Sequence, residues 1–498
     1  MDNELGPEIG FTAAGWFFHL GRFIIDNMKS DEASSAARPK PETTLATKPA
    51  CNKPPRRGLL SRLLSTLGLM TLFFVFGAAV MFFKLPSSDF LSKAFIGARA
   101  WVERRQVEEG SEPKLPKIQE PFDQPGKTFD GFTLCVCASL SVSGDQAFLL
   151  NMRGEVVHQW TKLFSQIWDN PPHIKSRVDD RLVAWFGCHL FGNGDLLVVL
   201  HAVHGAPYGY GLVKLDKDSK VLWKYAGHVH HDVDVGEDGT IYAIQHELLQ
   251  TLPKGLEALP KPCLADSLVL LTPDGRPKGK PIPILEAFRD SPYAPLLTSL
   301  ERADKPDPKG GLTSSRFDEA FILQDAMHTN FVRVLTRKQA AKFPQFKAGQ
   351  VLISVRGMDC IAVVDVDQGK VVWAARGPWK RQHDAQFLDN GHILLFDNRG
   401  LGKTSRILEY DPQTQAFPWS YTGADPARFF TVERGMSQRL PNGNTLIVIS
   451  EKGEMLEVTP AKEAVWSCII PKGYITNGRR YPPEELHFLK EGTRARPR

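Results

Sequence analysis

Three short strings in this 498-residue chain set histidine beside aspartate or asparagine: His231-Asp232-Val233, His328-Thr329-Asn330 and His383-Asp384-Ala385. A fourth string, VLISVRGMD, carries Arg356. His231 and His383 each stand eight positions before a turn glycine, Gly239 and Gly391. On units of one architecture, equal offsets put the two imidazoles at equal heights, with His328 between them. Three imidazoles, the Arg356 guanidinium and the Asn330 carboxamide then come within reach of one pocket. Such a set can make a neutral histidine nitrogen a nucleophile, while Arg356 and a second, protonated histidine neutralise the oxygens of a tetrahedral anion and assist the leaving group. Arginine suits that task because its planar fork meets two oxygens of a sulfate or phosphate at once. Two other readings stay open: three histidines can bind zinc or copper, and His–Asp pairs at strand starts can simply tie strands together.

The elements that must position these residues repeat. From about residue 130 a turn with Asp, Asn or Gly is followed by an apolar strand, then a strand ending in Asp plus a turn, then a strand closing on Trp. The first halves are SGDQAFLL, GNGDLLVVL, GEDGTIYAI, KAGQVLISV, DNGHILLF and PNGNTLIVI. Trp160, Trp223, Trp373, Trp419 and Trp466 close five of the six second halves. Six units over roughly 340 residues give about 57 each, slightly long for a propeller blade, and the excess lies in insertions at 161–183 and 250–316. Radial four-stranded sheets fit this pattern because a ring hides most sheet edges; an open β-solenoid or a pair of sandwiches is the alternative. The fold class expected is all-β: a six-bladed β-propeller preceded by a single transmembrane helix and a disordered N-terminal tail. In a propeller the first strand of each blade lines the channel, so side chains distant in sequence converge.

The membrane helix is read from Leu63 to Phe83, 21 residues without a charge, closed by Lys84. At about 1.5 Å per residue such a run spans the hydrocarbon core. Five basic residues before it against three after place the propeller on the exported side, periplasmic, lumenal or extracellular. The domain reading is a cytoplasmic tail at 1–57, the helix at 58–84, a stalk at 85–129, the propeller at 130–472 and a closing tail at 473–498 that packs across a propeller face. Six cysteines fall in the body, which permits disulfides without requiring them, and the absence of any CxxC pair gives no support to structural zinc. A net charge of +5 from 61 basic and 56 acidic residues lacks the basic face that nucleic acid demands, and suits a small anionic substrate. Gly400-Leu401-Gly402-Lys403-Thr404 looks like the end of a phosphate-binding loop, but Asp397 stands where that motif needs glycine. No nucleotide donor such as PAPS is indicated, and no cofactor is expected.

On HHDV at 230–233, HTN at 328–330, SVR at 354–356 and QHDAQ at 382–386, residues 130–485 resemble the PAPS-independent arylsulfotransferase family. The resemblance implies a six-bladed propeller that moves a sulfuryl group from an aryl sulfate to a phenol through a sulfated histidine. By that similarity His383 is the nucleophile, and His231, His328, Asn330 and Arg356 bind the sulfuryl oxygens and manage the leaving-group proton. Arg434 and Gln438 head the sixth inner strand and can reach the same anion; His189 reads as packing. Expected partners are a small aryl sulfate and a phenol, and the membrane through one helix; a homodimer is compatible with this. The rivals are a non-catalytic, membrane-anchored propeller serving as a binding scaffold, and a metal-dependent hydrolase on the same ring.

Overall fold

The computed structural model describes residues 121–138, 146–174, 183–202, 207–257, 263–304, 325–398, 404–423, 429–471 and 473–491, with a few isolated positions outside these ranges. The chain divides into two compact units, Met1–Leu85 and Pro86–Arg498. Of the first, only Gly68, Met70 and Thr71 are described, each helical, so the expected membrane span and the tail before it lie outside the described residues. Among the described residues no helix is long and apolar enough to cross a membrane.

The second unit is a six-bladed β-propeller. From the channel outward, blade 2 is Val183–Leu190, Leu196–Ala202, Gly209–Leu215 and Val221–Tyr225, and blade 3 is Val229–Val235, Ile241–Leu249, Cys263–Leu271 and Ile282–Pro283. Blade 4 runs Thr329–Val334, Val351–Val355, Cys360–Asp365 and Lys370–Arg376; blade 5 runs His383–Phe387, Ile393–Asp397, Arg406–Tyr410 and Trp419–Tyr421. Their pairing is antiparallel throughout. Second strands such as Leu196–Ala202 and Val351–Val355 are buried at every position, which explains their unbroken apolar runs. Outer strands such as Val221–Tyr225 alternate between half-buried and exposed, the two-residue period of a strand with one wet face.

The ring closes through both ends of the unit. Blade 1 consists of Phe132–Ala138, Gln146–Leu150 and Val156–Thr161 with Tyr474–Tyr481 as its channel strand. Blade 6 consists of Met436–Arg439, Thr445–Ile449, Glu454–Val458 and Ala464–Ile469, with Phe122–Asp123 added on its outer edge. This corrects the expectation of a closing tail over 473–498: Tyr474–Tyr481 within it is a channel strand. The physical reason is that Phe132–Ala138 would otherwise present an unpaired edge to the channel. The pairing runs in antiparallel register from Phe132 against Tyr481 to Ala138 against Tyr474.

The recurring tryptophans tie one blade to the next. Trp160, Trp223, Trp419 and Trp466 each donate their indole N–H to a turn carbonyl of the following blade, Gly194, Pro273, Pro460 and Met152, at 3.0–3.1 Å. Trp373 instead packs against Phe346, ring centroids 5.5 Å apart. Gly275 in blade 3 lies so close to Trp223 that a Cβ there would sit 2.4 Å from the indole. The insertions are compact where described, with short helices at Phe164–Ile167 and Ile284–Arg289 covering the outer strands. The six body cysteines are all buried thiols.

Candidate active site

The channel strands do not run straight. The register slips between Trp185 and Cys188 in blade 2, between His230 and Val233 in blade 3, between Thr329 and Phe331 in blade 4, and between His383 and Gln386 in blade 5. Bulges of this kind re-aim side chains that strict alternation would send elsewhere. Around them His231, His328, Asp384 and Arg434 take left-handed backbone conformations, φ +58°, +48°, +46° and +57°. Each costs about 1–3 kcal/mol for a residue other than glycine, and such strain clusters at functional positions. Gly187 permits the crowding: a Cβ there would lie 2.5 Å from Asp232 Cα of the next blade.

His231 and His328 meet edge to face, with ring centroids 4.9 Å apart. The Nδ1 of His328 is 2.7 Å from Asp325 Oδ2, and the same oxygen accepts the phenol hydrogen of Tyr208. Asp325 Oδ1 accepts the backbone N–H of His328 at 3.2 Å. The Nδ1 of His231 is 2.7 Å from His230 Nδ1, and His230 Nε2 is 3.4 Å from Asp266 Oδ1. One of the two Nδ1 atoms in the His230–His231 contact donates and the other accepts.

His383 is buried, 2% exposed. Its Nδ1 lies 2.7 Å from Asn398 Oδ1 and 3.0 Å from Arg381 O, both acceptors, which fixes the proton on Nδ1. Nε2 is left as an acceptor, met only by the Arg434 backbone N–H at 3.3 Å. Burial first, and then the Arg356 charge, hold His383 well below the usual histidine range; the Asn398 bond opposes them. Burial first, then the His328 charge, do the same to His231. Both imidazoles are therefore neutral at neutral pH.

Arg356 follows blade 4's second strand, its N–H bonded to His328 O at 3.2 Å. Gly357 makes that approach possible, since a Cβ there would fall 1.9 Å from Ala326 O. The Arg356 side chain is 8% exposed, yet its guanidinium makes no hydrogen bond or ion pair among the described residues. Burial and then the neighbouring Arg381 charge lower its pKa. A buried guanidinium in this state is costly unless an anion meets it.

The other predicted residues are placed differently. Arg434 does reach the site: its guanidinium lies 3.3 Å over the Phe186 ring and donates to Thr476 O at 3.2 Å. Asn330 is wholly buried and gives its side-chain N–H to Gln382 O at 2.9 Å, bracing the residue before His383. Gln438 spends both ends of its amide on Arg480, donating to its carbonyl at 2.9 Å and accepting its N–H at 2.7 Å. These two therefore join blades, because their carboxamides match the unpaired backbone groups of the neighbouring channel strand. His189 packs edge-on to Phe191, centroids 4.7 Å apart, and burial followed by the Arg333 and Arg479 charges holds it down to about 4.

Sequence reading passed over several residues that build the site. Phe186, His201 and Tyr208 form a stack, centroids 3.7 and 4.7 Å apart in turn, continuing the Arg434–Phe186 contact into one wall of planar groups. Asp266 and His246 interrupt apolar strands of blade 3, and an ionisable residue in such a strand is a signal that it has a buried partner. His230, His246 and Asp266 bring one ligand atom each within 4.8 Å of one another. Yet the two imidazoles stack face to face, 3.7 Å apart and 12° from parallel. Parallel planes cannot both contain one ion, so the cluster fits a hydrogen-bonded His–Asp–His arrangement better than a metal centre.

A family model for arylsulfotransferase (ASST) matches residues 188–471, more than half the chain. The chain belongs to the arylsulfotransferase family. Aryl sulfate transfer without PAPS is the activity of this family, and the match spans His231, His328, Arg356, His383 and Arg434. No curated protein matches the chain. Among solved structures, a protein of unknown function from Bacteroides caccae is 11% identical, covering 71% of this chain and 99% of its own, with TM-score 0.43. The virginiamycin B lyase of Staphylococcus aureus is 10% identical, covering 58% and 72%, with TM-score 0.33. The periplasmic gluconolactonase of Pseudomonas aeruginosa is 10% identical, covering 68% and 81%, with TM-score 0.35.

Proposed function

We propose that this arylsulfotransferase-family propeller moves a sulfuryl group from an aryl sulfate to a phenol in two steps through a sulfated His383. The observation that carries the reading is the Arg356 guanidinium, buried near His383 and following the backbone of His328, with no hydrogen bond or ion pair among the described residues. It supplies what the oxygens of a sulfate ester need, and Arg434 adds a second positive charge at the same pocket.

In the first step the Nε2 lone pair of His383 attacks sulfur, displacing the long contact with the Arg434 N–H. The bond from sulfur to the aryl oxygen breaks, and its electron pair leaves on that oxygen. The oxygen takes a proton from an imidazolium of the His231–His328 pair, a charge state that the bound anionic donor favours. In the second step the now neutral imidazole removes the proton of the incoming phenol. The phenol oxygen attacks sulfur, the N–S bond breaks, and its electrons return to His383 Nε2. The pair thus regains its proton, and the cycle closes without a cofactor. The wall of Phe186, His201 and Tyr208 gives the aryl ring a flat surface to lie on.

The test uses the full chain in detergent with 4-nitrophenyl sulfate as donor and phenol as acceptor, without PAPS. Transfer, together with a radiolabelled sulfo-enzyme that disappears in His383→Ala, is expected. A fully active His383→Ala variant overturns the reading, and no turnover with any aryl sulfate favours a binding scaffold. The uncharged run at 63–83 supports a second element of the proposal, that the enzyme is held on a membrane with its propeller on the exported side.

A further inference from the structure

The proton traffic in that mechanism needs one imidazole with a defined donor, and three groups of the site bear on which it is. His328 is the most open of the three histidines, its side chain 18% exposed against 2% for the whole of His383 and 8% for His231. It stands ring to ring with His231, and its charge bears on His383. Behind it Asp325, 4% exposed, spends both oxygens within the site: Oδ1 on the His328 backbone N–H, Oδ2 on His328 Nδ1 and the Tyr208 hydroxyl. With the carboxylate oxygen 2.7 Å from Nδ1, a proton on that nitrogen is the favoured arrangement, which leaves Nε2 as the ring's acceptor.

We propose that Asp325 is the positioning residue of the reaction, holding His328 as the acid that protonates the departing phenolate and the base that deprotonates the incoming phenol, with Tyr208 steadying the same carboxylate from blade 2. The inference rests on the transfer proposed above. In each turnover one proton passes from His328 Nε2 to the first aryl oxygen as the S–O bond breaks. One passes back from the second phenol as the N–S bond of sulfated His383 breaks, so protons and charge balance over the cycle.

Asp325→Asn tests it with a specific signature. The backbone N–H of His328 requires an acceptor at the Oδ1 position, so the amide oxygen stays there and its NH2 turns toward His328 Nδ1. An NH2 facing Nδ1 forces the proton to Nε2 and removes the open lone pair. The expected result is a fall in kcat of roughly 10²–10⁴-fold with phenyl sulfate, whose poor leaving group needs protonation. With 4-nitrophenyl sulfate, whose phenolate departs unaided, the loss should stay under about tenfold. The ¹⁵N shifts of the His328 ring should move from an Nδ1–H to an Nε2–H pattern. Equal losses with the two donors, or an unchanged His328 tautomer in Asp325→Asn, overturn the assignment. If the wild-type protein transfers nothing, the function proposed above falls, while the ring tautomers of wild type and variant still decide whether Asp325 fixes His328.

Discussion

Two buried charge clusters share the channel of this propeller, and adjacent residues feed them. His231 and His383 belong to the candidate site, while the next residues, Asp232 and Asp384, belong to a separate ion-pair network. In that network Arg333 bridges Asp232 and Asp384, 3.0 Å from the latter, and Arg479 reaches Asp384 at 2.9 Å. The carboxylates also accept backbone N–H groups of the next blade, Asp232 from Val332 at 3.2 Å and Asp384 from Ser437 at 2.8 Å. Here charge is balanced and lone pairs are used. In the site, by contrast, the Arg356 side chain has no hydrogen bond or ion pair among the described residues, and His383 Nε2 meets only the long contact with the Arg434 N–H. The bulges make the separation possible: a straight strand would alternate faces without turning consecutive residues into two different environments within one channel. Ring closure and chemistry thus draw on the same strings of sequence but on different side chains.

Acid should divide the two clusters, and with the largest effect. Burial holds His201, His230, His231 and His383 below their ordinary range, His230 down to about 4. Between pH 6.5 and about 4 the unfolded chain binds protons that the folded chain refuses, so stability falls as pH drops through this window. Each such histidine contributes up to about 1.4 kcal/mol per pH unit. The network acts with opposite sign: burial raises Asp232 and Asp384, so their contribution weakens as pH rises above the unfolded value near 3.8. Urea midpoints from pH 7 to 4 should therefore decline steeply in wild type and less so in His201→Phe. A slope unchanged by His201→Phe would show that the site histidines do not carry it.

Arg333→Met should next expose what the network does. Removing the shared guanidinium leaves Asp232 and Asp384 buried with less compensation, which costs about 3–5 kcal/mol when one partner of a buried pair is lost. Thermal or urea unfolding measures this directly. A loss under about 1 kcal/mol would mean that the backbone N–H donors alone satisfy the two carboxylates.

The sequence carried the architecture further than the site. Turn residues and closing tryptophans revealed six blades, because each unit repeats one solution to burying a sheet between two others, and four of those tryptophans turn out to bond the next blade's turn. Repetition could not reveal that residues 474–481 complete blade 1, since a channel strand contributed from the far end of the chain carries no turn signal linking it to its neighbour. His231, His328, Arg356, His383 and Arg434 were legible as heads of strands or their close neighbours. Asn330 and Gln438 were equally legible and do a different job, because a carboxamide serves an anion and a backbone amide equally well. Asp325, Tyr208 and Asn398 were missed: Tyr208 and Asn398 act across loops or blade boundaries, where spacing along the chain says nothing about contact, and Asp325, three residues before His328, precedes the strand that the repeat marks.

The sharpest contrast is Arg356→Met set beside Arg333→Met. Both remove a buried guanidinium from the channel and leave an apolar chain of similar length. Arg356 has no ion pair to lose among the described residues, and its burial is a cost to the fold, so Arg356→Met should leave the unfolding midpoint unchanged or raise it. Its effect belongs to the anion: kcat/KM for aryl sulfate should fall roughly 10²–10³-fold, the size seen when one donor to a developing oxyanion is removed, about 2.7–4 kcal/mol. Arg356→Lys should recover only part of this, since an ammonium keeps the charge but not the two-pronged geometry. Steady-state kinetics and urea midpoints on the same preparations measure both quantities. An Arg356→Met protein that unfolds more easily and still transfers sulfate at the wild-type rate would place Arg356 in the structural cluster and erase the distinction between the two.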